Sequence, residues 1–115
     1  MKSKNNNIIL VILALVIIGF ILTINSLNNN ENYNIETIKC IGENSKLFVS
    51  KTCGHCAKQK MILEGYEEYF EIIDCFSETE LCMENNIQAV PTWIINNQEY
   101  TGVKTFSELK EFSGC

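Results

Sequence analysis

From Ile8 to Leu22 no side chain is polar, and Thr23 and Ile24 extend the run to about the minimum that crosses a bilayer. After that run the apolar positions become short and periodic. Ile35 to Ile41, carrying Cys40, reads as a short turn of helix, and Gly42-Glu43-Asn44 as a break. Lys46 to Ser50 is an apolar strand. A helix is predicted from Cys53 to about Tyr66, with Ala57, Met61 and Ile62 on its inner face and Gly65 near its end. Tyr69 to Asp74 is a second strand. Ser77-Glu78-Thr79-Glu80 fits a capping box that opens a short helix to about Asn85. Thr92 to Ile95 is a third strand, Asn96-Asn97 suits a tight turn with positive φ, and Gln98 to Thr101 returns as a hairpin. Thr105-x-x-Glu108 is a second capping box, followed by Phe106, Leu109 and Phe112 on one helix face. The order is strand, helix, strand, helix, strand, strand, helix. Parallel strands joined by helices and closed by a hairpin and a last helix predict a small α/β sheet covered on both faces. Trp93, Phe48, Phe70 and Phe106 read as its core.

Charge placement orients the apolar run. Lys2 and Lys4 precede it and no cation follows soon after, which puts the N-terminus inside and the rest outside. A cleaved signal peptide is the alternative, but its core would be shorter and its exit small-residue, unlike Thr23-Ile24-Asn25-Ser26-Leu27. The predicted organisation is a cytoplasmic N-terminus at 1–7, a transmembrane anchor at 8–27, an asparagine-rich tether at 28–36 and one domain at 37–115. The tether, centred on Asn28-Asn29-Asn30, reaches at most about 35 Å. The expected location is the cell membrane, single-pass, with the domain extracytoplasmic.

Composition excludes one class of partner. After Ser26 there are seven lysines against fourteen acids and no arginine, so the domain offers no basic patch to nucleic acid. Six cysteines in about eighty residues favour disulfides and an oxidising compartment.

The chemistry centres on Cys53-Gly54-His55-Cys56, which follows the strand residues Leu47-Phe48-Val49 and opens a helix. Free amides and the helix dipole there stabilise a thiolate on Cys53, with Cys56 one turn along to close or open a disulfide. Cys53 is the expected nucleophile. His55, the single histidine, adds positive charge beside it, which favours the reduced form and predicts an oxidising pair at roughly −120 to −220 mV. Lys51, Lys58 and Lys60 read as solvated, with Lys58 adding to the positive field near Cys56. Three other readings compete. A structural disulfide between positions i and i+3 would close a tiny loop and stabilise little. A zinc site with Cys75 and Cys82 has a wide second spacing. Covalent haem would want a histidine where Ala57 stands.

The order of elements, Cys53-Gly54-His55-Cys56 at a helix start and Val90-Pro91-Thr92 before the hairpin together resemble the thioredoxin family. Lys39-Cys40, Lys58-Gln59-Lys60 after the cysteine pair, Ile73-Asp74-Cys75, Leu81-Cys82, Pro91-Thr92-Trp93 and Ser113-Gly114-Cys115 extend the likeness. Over Thr37 to Cys115 the chain is similar to the thioredoxin-like domain that accompanies vitamin K epoxide reductase homologues. The resemblance implies a glutaredoxin-sized thioredoxin-like core and a cis Pro91. It makes Val90, Pro91 and Thr92 the surface for client peptides. It also implies a thiol–disulfide oxidoreductase of the disulfide isomerase or oxidase kind. Such an enzyme uses no bound cofactor beyond its Cys53–Cys56 disulfide. Its partners would be thiol-bearing client proteins and a quinone-linked vitamin K epoxide reductase or DsbB-like membrane protein. The same pair run in the other direction is a reductase or isomerase, and a disulfide-stapled binding module is the non-enzymatic alternative. In many thioredoxins a buried acid stands six residues before the first cysteine; here that position is Leu47. Cys75 and Cys82 read as a structural disulfide or as a second shuttle pair. Cys40 and Cys115 would then pair with each other across the domain, or remain free thiols.

Overall fold

The computed structural model describes residues 2–27 and 33–115, with side chains left aside at 2–5 and 25–27. The described residues divide into two compact units. The first is one helix, α1 (Lys2–Leu27). Its stretch Asn6–Ile24 is long and apolar enough to cross a membrane, with none of it buried. At 1.5 Å per residue those 19 residues rise about 28 Å, close to the thickness of a hydrocarbon core. The helix extends back to Lys2, through most of the predicted polar N-terminus. The centre of the predicted tether, 28–32, lies outside the described residues.

The second unit starts at Tyr33, four residues ahead of the predicted boundary. Asn34 accepts from the Glu36 amide at 3.1 Å and so caps α2 (Ile35–Glu43). Tyr33 packs on Phe106, ring centres 5.1 Å apart. At the far end of α2 a side chain on Gly42 would run into the Tyr69 carbonyl, so the backbone comes too close there for any other residue.

The strands are β1 (Ser45–Val49), β2 (Glu71–Asp74), β3 (Thr92–Ile95) and β4 (Gln98–Thr101), in the order β2-β1-β3-β4. β1 and β2 are parallel, while β3 runs antiparallel to β1, with Leu47 opposite Trp93. The prediction of parallel strands thus holds for the first pair only. Strand direction is decided by where the connection re-enters the sheet, and no side chain on β3 records that. Leu47, Phe48 and Val49 are all fully buried, as a central strand covered on both faces requires. Leu47 and Val49 face the main core with Trp93, Ile95, Leu63 and Leu109, whereas Phe48 faces a smaller one with Ile73 and Cys82. Asn96 and Asn97 turn the hairpin at φ of 50° and 65°, as predicted.

Three helices complete the unit: α3 (Gly54–Ile62), α4 (Thr79–Glu84) and α5 (Phe106–Ser113). α3 stops about four residues earlier than expected, because Gly65 takes φ 84° and a 3-10 turn, Glu67–Tyr69, precedes β2. Its inner face is Cys56, Gln59 and Leu63; Ala57 and Met61 point to solvent. Burying Cys56 fixes the helix phase, and residues at i+3 and i+7 follow it inward. The capping box expected at Ser77 does not form. Glu78 is the N-cap of α4 without a side-chain bond, and Ser77 Oγ donates to the Asp74 carbonyl at 3.3 Å instead. The box at Thr105 and Glu108 forms as predicted at the start of α5. The Thr105 amide donates to the Glu108 carboxylate, the first cause holding that acid below its usual range.

Candidate active site

β1 delivers the chain at its C-terminal end to the turn Ser50–Thr52, and α3 starts at once. Cys53 is the N-cap of α3, and its Sγ accepts the Cys56 amide at 3.1 Å. An N-cap normally offers an oxygen to these orphan amides. Here a sulfur takes that place, and a thiolate is the better acceptor. Cys53 is part-exposed and Cys56 is 1% exposed. Both are free thiols in this structure. Opposite them the Val90–Pro91 peptide is cis, and the Cys53 thiol donates to the Val90 carbonyl at 3.5 Å. Two stretches 37 residues apart thus meet at one sulfur.

Cys56 sits in the main core with Leu47 and Val49. Burial pushes its thiol up to about 11, with the Cys53 thiol as the next cause. Leu47, standing where many thioredoxins have an acid, is part of that apolar wall. The cation that opposes the rise is Lys60, not Lys58 as expected. Cys56 therefore holds almost no thiolate at neutral pH. A mixed disulfide on Cys53 should be resolved by Cys56 about tenfold faster per pH unit between about pH 6 and 9, tracking the thiolate fraction. Stopped-flow release of glutathione bound to Cys53 measures it.

The remaining predicted residues fall into two groups. Gly54 and His55 lie exposed on the first turn of α3, and a Cβ on Gly54 would meet open space, so nothing local demands glycine there. Val90 is half-buried beside Cys53, but Pro91 and Thr92 are buried. Thr92 Oγ1 donates to the Ala89 carbonyl at 2.8 Å. The Thr92 side chain therefore shapes the loop from within. A hollow of about 270 Å³ adjoins Val90, lined also by Cys75, Cys82, Met83, Ile87 and Ala89. Phe76 stands exposed, with Lys51 Nζ 5.3 Å from its ring centre. A larger hollow, about 750 Å³, lies at the opposite end of the strands around Asn44, Lys46 and Asn96 and touches none of these residues.

Cys75 and Cys82 are bonded to each other, as are Cys40 and Cys115. The four-cysteine zinc set is therefore not assembled. One contributor enters from the sequence only within the Lys58-Gln59-Lys60 likeness and with no role: Gln59, fully buried, whose Oε1 accepts from Trp93 Nε1 at 3.1 Å and from the Lys104 amide at 2.7 Å. A glutamine between two lysines, Lys58-Gln59-Lys60, reads as solvated, and only the helix phase turns it inward.

No protein-family model matches the chain. The chain is similar to the thiol-disulfide oxidoreductase LTO1 of Arabidopsis thaliana, 30% identical over 80 residues. The match covers 61% of this chain and 21% of that protein, so the chain spans about a fifth of its relative's length. Among solved structures, thioredoxin of Malassezia sympodialis superposes with TM-score 0.48 at 19% identity, covering 60% of this chain and 73% of that one. Oxidised thioredoxin of Plasmodium falciparum gives 0.49 at 21%, covering 71% and 90%.

The fold is thioredoxin-like. Its own topology says so: a β2-β1-β3-β4 sheet, a Cys-x-x-Cys capping the helix after the central strand, and a cis proline facing it at the head of β3.

Proposed function

We propose that this chain is a membrane-anchored thiol–disulfide oxidoreductase, its domain extracytoplasmic, that oxidises client thiols. The observation that carries the reading is the Cys53 sulfur, part-exposed, capped by the Cys56 amide and set 3.5 Å from the Val90 carbonyl. The likeness to a protein named as a thiol-disulfide oxidoreductase supports the chemistry. The apolar stretch Asn6–Ile24 supports the anchor, and Lys2 and Lys4 before it support the orientation.

The cycle starts with Cys53 and Cys56 joined. A client thiolate attacks Cys53 Sγ, forming a client–Cys53 disulfide and breaking Cys53–Cys56. Cys56 leaves and takes up a proton in its apolar pocket. The client's second thiolate then attacks the client sulfur of the mixed disulfide and releases Cys53. The client gains one disulfide, and the chain holds two electrons and two protons as its dithiol. A quinone-linked membrane protein of the vitamin K epoxide reductase or DsbB kind takes them back. Attack falls on Cys53 because Cys56 is buried. The client segment lies along Val90 and over the adjoining hollow.

Equilibration with glutathione buffers tests the direction. A potential between about −120 and −220 mV is expected. A value near that of thioredoxin, about −270 mV, would assign the pair to reduction instead.

A further inference from the structure

The Cys53–Cys56 end of α3 and the Val90–Pro91 loop belong to different parts of the chain, and something must hold them at working distance. The Gln59 side chain is fully buried, one turn of α3 below Cys56 on the same face. Its carboxamide makes three hydrogen bonds. Oε1 accepts from Trp93 Nε1 at 3.1 Å and from the Lys104 amide at 2.7 Å, and Nε2 donates to the Lys104 carbonyl at 3.0 Å. Trp93 stands two residues past Pro91 on β3. Lys104 stands two residues past Gly102, whose amide donates to the Pro91 carbonyl at 2.8 Å. Gln59 thus grips the proline loop twice, once through β3 and once through 102–104. The Cys53 contact to Val90 closes the ring at the other end.

We propose that Gln59 is the positioning residue of this site: its carboxamide holds the loop that contains Pro91 and presents Val90 in register with the helix start presenting Cys53. The proposal rests on the oxidoreductase reading above. A protein client must engage both arms at once, so its rate depends on their register. A small alkylating reagent touches only the sulfur, so its rate does not. A glutamine that merely filled the core would affect both or neither.

The test uses the full-length chain in detergent micelles. Gln59→Met keeps the side chain's length and removes all three bonds. Oxidation of a reduced, unfolded protein should fall about tenfold, since small misplacements of reacting groups are costly in rate. Alkylation of Cys53 by iodoacetamide should stay within about twofold of wild type. Gln59→Glu at about pH 6, where a buried carboxyl stays neutral, can accept twice and donate once and should restore the client rate. Amide exchange at Gly102 should quicken in Gln59→Met relative to Leu47 in the central strand. A parallel fall of both rates, or no change in either, overturns the proposal. If the wild-type chain exchanges disulfides with no protein, the oxidoreductase reading fails instead. The Gly102 amide then decides: faster exchange keeps Gln59 as the tie between helix and loop, and unchanged exchange overturns it.

Discussion

Replacing Cys56 by serine should leave Cys53 covalently joined to its substrates. Offered a protein disulfide, the Cys53 thiolate attacks one sulfur and the other leaves as a thiolate. In the native chain Cys56, one turn away, then displaces the bound protein. Its advantage over a free thiol is one of effective concentration, which for well-placed groups is very large. Without it the complexes should last at least about a hundredfold longer. They should appear on non-reducing gels and vanish with dithiothreitol. Cys53→Ser should give none, because the remaining thiol is buried and protonated at neutral pH. Complexes formed through Cys56, or none in either variant, would remove the redox assignment and leave a stapled binding module. The experiment separates the two because both classes share every other feature of the fold.

Removing Cys40–Cys115 should cost about 4 to 5 kcal/mol, and removing Cys75–Cys82 about 2 kcal/mol, in the chain-entropy account. The first bridge closes a separation of 75 residues and the second one of 7, so the first restricts the unfolded chain far more. It also fastens α2, which begins the unit, to the last residue after α5. Double Cys→Ala variants at each bridge, unfolded in urea, give the comparison. An equal loss at both sites would show that local contacts, not loop closure, set the stabilisation. Cys82 makes that outcome measurable, because it packs under Phe48 and Ile73 and its loss would also leave a gap.

Much of this molecule is legible in local sequence. The apolar run, the Thr105 capping box, the Asn96-Asn97 turn and the Cys53 helix start each depend on residues within a few positions of one another. Their chemistry is therefore written in the order of the chain. Ala57 and Met61 show where that limit lies. The stretch after Cys53 has no strong apolar stripe, so its inward face could be chosen only by packing Cys56 into the core. The same rotation brought Gln59 inward from between two lysines. Ser77 was a plausible cap in isolation, but the loop closed by Cys75 and Cys82 is turned by Asp74, whose side chain accepts the Phe76 amide at 2.9 Å.

By itself, the sequence determined the α/β order of elements, the membrane-length segment and the paired cysteines at a helix start. These follow from periodicity, capping and spacing, all of them short-range. Only the tertiary structure decided the antiparallel entry of β3, the meeting of Cys53 with Val90, the depth of Cys56 and the grip of Gln59. Each of those is a contact between residues far apart in the chain. Whether a side chain there faces water or a partner is settled by packing, which no local pattern encodes.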